Sequence, residues 1–188
     1  MGESDARIEP ATAADVDAVT DMWVALAAGQ REHGATLRAE ANRATVREWV
    51  AQSVVTGELF VARDPDPAAE TDEIGGRDSG PVGFVGFSLE RGDYERDAVR
   101  GTVSNLYVVP ERRGEGIGAA LLDAAERELA EAGADRVALE ALTANDRARE
   151  FYAERGYGPH RVELTKSLGG SAGESPDAEG ADATDESG

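Results

Sequence analysis

Apolar positions follow two rhythms along this chain. Val16, Val19, Trp23, Leu26 and Ala27 recur at helical spacing behind a capping residue, Thr12, and Val46, Trp49, Val50 and Val54 form a second amphipathic stretch ending near Gly57. Ile8 lies in a short strand ahead of them that stops at Pro10. Leu59, Phe60 and Val61 then read as a strand. Val82 to Leu89 is an almost unbroken apolar run, as expected of a central strand covered on both faces, and Thr102 to Val109 is rich in β-branched residues. These three neighbouring strands predict an antiparallel meander.

Beyond the meander the order changes to strand, helix, strand. Ile117, Leu121, Leu122, Ala125 and Leu129 share one face of a helix that runs from about Gly116 and stops at Gly133. Val137 to Leu139 is the next strand, Asn145 to Arg155 a short helix closed by Gly156, and Arg161 to Thr165 a last strand with Val162 and Leu164 turned inward. The pattern predicts one α/β domain with a mixed sheet over residues 1–168. From Gly169 to Gly188 there is no base and no large apolar residue, so a disordered acidic tail is expected there. Asp64 to Gly80, with Pro65, Pro67, Gly75, Gly76 and Gly80, is expected to be a long loop between two strands, without a catalytic role.

Charge changes the picture next. The 188 residues carry 38 Asp and Glu against 19 Lys and Arg, a net charge of −19. Without the six acids of the tail, 32 acids still face 19 bases. Such a surface repels a phosphate backbone, which excludes a nucleic-acid binder driven by bulk electrostatics. Lys166 is the sole lysine and every other base is arginine. An acid-rich, nearly lysine-free surface is expected of a protein kept soluble in concentrated salt, as in a halophile's cytosol, where the Debye length shrinks to about 3 Å. The chain has no cysteine, which removes disulfides, thiolate nucleophiles and cysteine-based metal sites. No run approaches the roughly 18 apolar residues of a membrane span, and Met1 Gly2 Glu3 Ser4 Asp5 is acidic where a signal peptide would be basic. A cytoplasmic protein with no metal site and no membrane partner is expected.

Chemistry concentrates between Asn105 and Leu122. A buried strand passes through a basic, glycine-rich turn, Arg112 Arg113 Gly114 Glu115 Gly116 Ile117 Gly118 Ala119, into the start of an amphipathic helix. That arrangement offers free backbone N–H groups and a positive helix end to a phosphate anion. Gly114, Gly116 and Ala119 formally satisfy the dinucleotide fingerprint, and Glu140 ends the next strand about where a ribose-binding acid would stand. Three features oppose that match. Four residues including Pro110 separate the strand from the first glycine, a meander precedes the unit, and the roughly 25 residues after Glu140 cannot build the second half of a doubly wound sheet. A P-loop is excluded because no Gly-Lys-Ser/Thr follows.

The stretch Arg113 Gly114 Glu115 Gly116 Ile117 Gly118 resembles the acetyl-coenzyme A signature of the GCN5-related N-acetyltransferases, the GNAT family. Leu106 Tyr107 Val108 before it, Leu121 Leu122 after it, the strand ending at Glu140, then Asn145, Phe151 Tyr152 and Gly156 Tyr157 stand in the family's order and approximate spacing. The resemblance spans about residues 6–167. It implies the GNAT α/β fold, a mixed and mostly antiparallel sheet of about six to seven strands flanked by about four helices. It also implies acetyl-coenzyme A as co-substrate, an amine as acceptor, and a homodimer as a candidate assembly, since members often pair.

Residue roles follow from the same resemblance. The backbone amides of Arg113, Gly114, Glu115, Gly116, Ile117, Gly118 and Ala119 would cradle the pyrophosphate, and Leu106, Tyr107 and Val108 would pair with the pantetheine arm as with an extra strand. Direct attack by an amine needs a free lone pair, yet an alkyl ammonium with pKa near 10 is only about 0.1% neutral at pH 7. Glu140 matches a carboxylate that some members use as the base; Glu90 and Asp93 are further candidates, and many members use water. The Val108 N–H is the implied oxyanion donor. Tyr152 aligns with the tyrosine that protonates the departing thiolate, and Asn145 with a residue touching the pantetheine, although Asn145 equally suits a helix cap. His33 and His160 are the only imidazoles and suit surface or packing roles; His33 falls between the first two helices, where family substrates bind. A module of another class, which binds a nucleotide or acyl-coenzyme A for regulation without catalysis, uses the same turn.

Overall fold

The computed structural model describes residues 5–65, 80–90, 97–166 and 168. Within them the chain runs β1 (Arg7–Pro10), α1 (Val16–Gln30), α2 (Arg43–Thr56), β2 (Leu59–Arg63), β3 (Gly83–Leu89), β4 (Arg100–Val108), α3 (Ile117–Glu131), β5 (Arg136–Leu139) and α4 (Asp146–Ala153). The sheet order is β1-β2-β3-β4-β5, with every neighbouring pair antiparallel except the last, β4 with β5. The meander and the strand-helix-strand unit both stand where the hydrophobic pattern placed them.

Side chains alternate across the strands and so build a core on each face of the sheet. Val16, Val19 and Met22 of α1 and Val46 and Val50 of α2 pack with Leu59, Val61, Phe84 and Tyr107 on one face. Ile117, Leu121, Leu122, Ala125 and Leu129 of α3 pack with Ala62, Val85, Phe87 and Val103 on the other, with Phe151 and Tyr152 of α4 at its margin. β3 lies at the centre and is buried from Gly83 to Phe87, as its unbroken apolar run requires.

Helix boundaries follow local chemistry. Asp15 accepts from the Thr12 N–H at 2.8 Å and from the Thr12 hydroxyl at 2.9 Å, which fixes the entry to α1. α2 ends at Gly57, whose φ of +75° closes the helix in a left-handed cap. Gly86 has a packing reason: a Cβ there would lie 2.8 Å from the Trp49 ring. Gly86→Ala is therefore expected to cost about 1–3 kcal/mol through overpacking, read as a lower urea midpoint at unchanged slope.

One irregularity in β4 matters for the site. Gly86 pairs with Asn105 but Phe87 with Val103, so Ser104 is an extra residue, a β-bulge. The bulge shifts the alternation by one, so that Leu106 and Val108 join Val103 on the α3 face. β5 leaves at the same level, its pairing with β4 ending at Val103↔Leu139.

Two expectations are corrected. Among the described residues the sheet has five strands rather than six or seven. Residues 161–166 form no strand, and Val162 and Leu164, expected to face inward, are 76% and 89% exposed. Only two apolar residues alternate there among Arg161, Glu163 and Lys166, and no described neighbour lies beyond β5 to cover them. The tail at 169–188, most of the 64–80 loop and Asp93 lie outside the described residues.

Candidate functional site

The bulge and the departure of β5 open a notch along the second half of β4. Val109 donates its N–H to the Val82 carbonyl at 2.9 Å, so Tyr107, two residues earlier, also turns its backbone groups toward β3. Leu106 and Val108 consequently direct theirs to the opposite edge, where β5 has left. An extended ligand finds there the N–H and C=O of Leu106 and the N–H of Val108, which have no partner among the described residues.

The notch leads into the glycine-rich turn. Gly114 and Gly116 have φ of +89° and +79°, values that L side chains rarely adopt, and Gly116 is the N-cap of α3. The first helical bond is from Ala120 N–H to the Gly116 carbonyl, at 3.0 Å. Among the described residues no amide from Gly114 to Ala119 donates to a protein acceptor, which leaves six consecutive N–H groups at the positive end of a 15-residue helix. A Cβ at Gly118 would stand 3.7 Å from the Phe151 ring, an ordinary contact, so packing does not require glycine there.

The two turn arginines take different tasks. Arg112 forms ion pairs with Asp64 and, at 2.7 Å, with Glu115, which ties the turn to the end of β2. Arg113 donates from Nε to the Val108 carbonyl at 3.0 Å, with its guanidinium 5.5 Å from the centre of the Tyr107 ring. That bond joins turn and notch into one unit and holds the Val108 peptide in orientation. The sequence offers no signal for it, since the signature assigns Arg113 only a backbone amide.

α4 packs over this end of α3 through Phe151. Tyr152 makes edge contacts with Phe151 and Tyr157, at centroid separations of 5.1 and 5.7 Å. Burial pushes the Tyr152 phenol above its ordinary value, so it stays protonated, and its hydroxyl has no hydrogen-bond partner among the described residues. Tyr157 differs. Its hydroxyl donates to Glu126 at 2.6 Å, and burial and that carboxylate both raise it, which makes Tyr157 an anchor between the end of α4 and α3. Asn145 caps α4 by accepting from the Ala148 N–H at 3.1 Å; its side-chain nitrogen has no partner among the described residues.

The carboxylates separate. Glu140 is exposed just past β5, at the mouth of the notch, with no described partner. Glu90 pairs with Arg100 at 3.2 Å and accepts from the Thr102 hydroxyl at 3.2 Å, at the other end of β4. At a rise of about 3.3 Å per residue, Glu90 is roughly 20 Å or more along the strand from Val108, which removes it as a base for this site. The Arg113 bond to Val108 joins the turn to the β4 edge, and Phe151, beside Tyr152, packs near Gly118; Glu140 directly follows Leu139, which is level with Val103, and Glu90 lies at the far end of β4.

The sequence profile described as the acetyltransferase (GNAT) family matches residues 31–157, more than half of the chain. The chain belongs to the GNAT acetyltransferase family. Among solved structures, a GCN5-related N-acetyltransferase from Ralstonia eutropha JMP134 is similar at 27% identity and a TM-score of 0.63, over 87% of this chain and 98% of that one. A transcriptional regulator from Bacillus halodurans C-125 shares the fold at 18% identity and a TM-score of 0.64, over 87% and 99% of the two chains. An aminoglycoside acetyltransferase from an uncultured soil metagenomic sample, in complex with trehalose, shares it at 17% identity and a TM-score of 0.59, over 87% and 97%. No curated protein matches the sequence. In this GNAT acetyltransferase the matched region contains the notch, the turn, α4 and Glu140, and no described helix is long and apolar enough to cross a membrane.

Proposed function

We propose that this protein transfers the acetyl group of acetyl-coenzyme A to an amine by direct attack in a ternary complex. The observation that carries the reading is the continuity of two backbone surfaces with groups unpaired among the described residues, the Leu106 N–H and C=O with the Val108 N–H on the β4 edge, and the amides from Gly114 to Ala119. The first suits an extended amide-bearing arm, the second a pyrophosphate. Arg113 joins them.

With the thioester beside Val108, the amine nitrogen attacks the carbonyl carbon, and the Val108 N–H takes up charge developing on oxygen. Glu140, directly or through a water, receives the amine's proton. The C–S bond then breaks and the thiolate takes a proton from the Tyr152 hydroxyl, leaving an amide and a free thiol. Asn145 would meet the pantetheine arm through its side-chain nitrogen. We place the enzyme in a cytoplasm of high salt, a setting supported by its net charge of −19 and single lysine.

Tyr152→Phe tests the acid. Its kcat is expected to fall roughly 10²-fold at pH 7 while the acetyl-coenzyme A dissociation constant stays within twofold of wild type. An unchanged kcat removes Tyr152 from the mechanism. Glu140→Gln is expected to lose rate mainly at low pH, where less free amine is present; a pH profile parallel to wild type assigns the proton to water.

A further inference from the structure

The glycine-rich turn offers amides to an anion, yet an acid stands among them. Glu115 lies between Gly114 and Gly116, inside the row of N–H groups that have no protein acceptor among the described residues. Consecutive Cα atoms are about 3.8 Å apart, so a phosphate on the neighbouring amides lies within roughly 10 Å of the Glu115 carboxylate. The nearby arginines do not offset that charge. Arg112 donates from Nε to Glu115 at 2.7 Å and also pairs with Asp64, so its guanidinium is shared between two carboxylates. Arg113 gives its Nε to the Val108 carbonyl and faces the Tyr107 ring. Arg155, at the end of α4, stacks on Phe151 at 3.9 Å and donates to the Phe151 carbonyl at 2.9 Å.

Asp64, Glu111 and Glu115 against Arg112 and Arg113 leave one negative charge in excess around the turn, in a chain whose net charge is −19. A pyrophosphate on this turn is therefore held by neutral backbone dipoles and opposed by side-chain charge. Salt acts unequally on the two. Hydrogen bonds in contact with the ligand are little screened, whereas repulsion between exposed charges fades as the Debye length shrinks from about 10 Å at 0.1 M to about 3 Å at 1 M. The Glu115 side chain is 46% exposed, open to that screening.

We propose that the Glu115 side chain couples coenzyme binding to ionic strength: its carboxylate opposes the phosphates in dilute salt, and dissolved salt removes the opposition. The sign is opposite to that of a cation-lined phosphate site, which loses affinity as salt rises. The inference rests on the acetyl-coenzyme A reading of the turn and adds the solution condition under which the turn fills.

The test is calorimetric titration of the full chain with coenzyme A, up to 2 M KCl from the lowest concentration, 0.1 M or above, at which each protein keeps its far-ultraviolet circular dichroism. Wild type is expected to bind about tenfold more tightly at the high end than at the low end. Glu115→Gln keeps the backbone amide and the length of the side chain; it is expected to bind about fivefold more tightly than wild type at low salt and to come within about twofold of it at 2 M. Glu131→Gln removes the same charge from the other end of α3, roughly 20 Å away along the helix, and is expected to follow wild type at every salt. Pantetheine, which has no phosphate, is expected to bind wild type and Glu115→Gln equally. A wild-type affinity that falls with salt overturns the inference. So does a Glu115→Gln variant weaker than wild type throughout, because Glu115 is then a brace for the turn through Arg112. Equal gains in Glu115→Gln and Glu131→Gln assign the effect to net charge and overturn it as well. Coenzyme A binding with the same salt slope in wild type and Glu115→Gln overturns the inference alone, whereas no coenzyme A binding at any salt overturns the acetyltransferase reading and the inference with it.

Discussion

Gly118→Ala is expected to yield a more stable protein that binds acetyl-coenzyme A at least tenfold more weakly. The two effects have separate causes. Gly118 sits in the first turn of α3, where a Cβ meets nothing closer than the Phe151 ring at 3.7 Å, so alanine fits and gains roughly 0.5–1 kcal/mol of helix propensity. On the proposed reading the phosphates approach these amides to hydrogen-bond distance, and a methyl group at Gly118 obstructs them. Tenfold corresponds to about 1.4 kcal/mol. The bulkier Gly118→Val is expected to lose roughly 100-fold. Chemical denaturation and calorimetric titration read the two quantities independently. Unchanged affinity in Gly118→Val would remove the pyrophosphate from this turn.

The largest stability effect is expected at Arg63, far from the notch. Its side chain is 9% exposed and bonds Glu9 at 2.6 Å and Asp15 at 2.5 Å, and the Asp15 side chain is itself only 3% exposed. Arg63→Ala leaves a buried carboxylate without its counter-charge, for an expected loss of about 3–5 kcal/mol. The pH dependence has a definite sign. Burial alone pushes the Asp15 carboxyl up, but the Thr12 N–H, the Arg63 guanidinium and the Thr12 hydroxyl outweigh it and hold the carboxyl below its ordinary value. A lowered folded-state value means that this stabilisation is fully present above the unfolded-state value of about 3.9 and is lost as pH falls below it. Denaturation of wild type and Arg63→Ala between pH 7 and pH 3 should therefore give curves that converge toward the acid end. A constant gap would show that Arg63 acts through packing alone.

What the sequence made legible was local. The stripe from Ile117 to Leu129, the apolar run of β3 and the stop at Gly57 each act within a few residues, and each element formed where its period or cap placed it. The turn from Arg113 to Ala119 was legible for the same reason: its glycines and the helix after it are consecutive. Contacts that decide the site's shape are not consecutive. The extra residue at Ser104 is defined only against Gly86 and Phe87, and the notch exists only because β5 stops at Leu139. The Arg113 bond to Val108 and the Arg63 pair with Asp15 join residues whose proximity is a product of the fold. Strand ends misled for a related reason. Glu90 and Glu140 both end strands, but β3 and β5 run in opposite directions, which sends one to Arg100 and the other to the notch. Val162 and Leu164 show the weakest case, since a period of two on two apolar residues predicts a strand only where something covers it.

The most direct test of the account is the thermal unfolding midpoint in concentrated potassium chloride with acetyl-coenzyme A, coenzyme A, NADH or NADPH at matched concentration. A ligand at 100 times its dissociation constant adds about 2.7 kcal/mol, which for a chain of this size raises the midpoint by roughly 5–10 °C. The account predicts that rise with acetyl-coenzyme A and coenzyme A, none with either dinucleotide, and loss of the rise in Gly118→Val. A rise with NADH or NADPH alone would mean that Gly114, Gly116 and Ala119 form a dinucleotide fingerprint, and would contradict the assignment of the notch and turn to acetyl-coenzyme A.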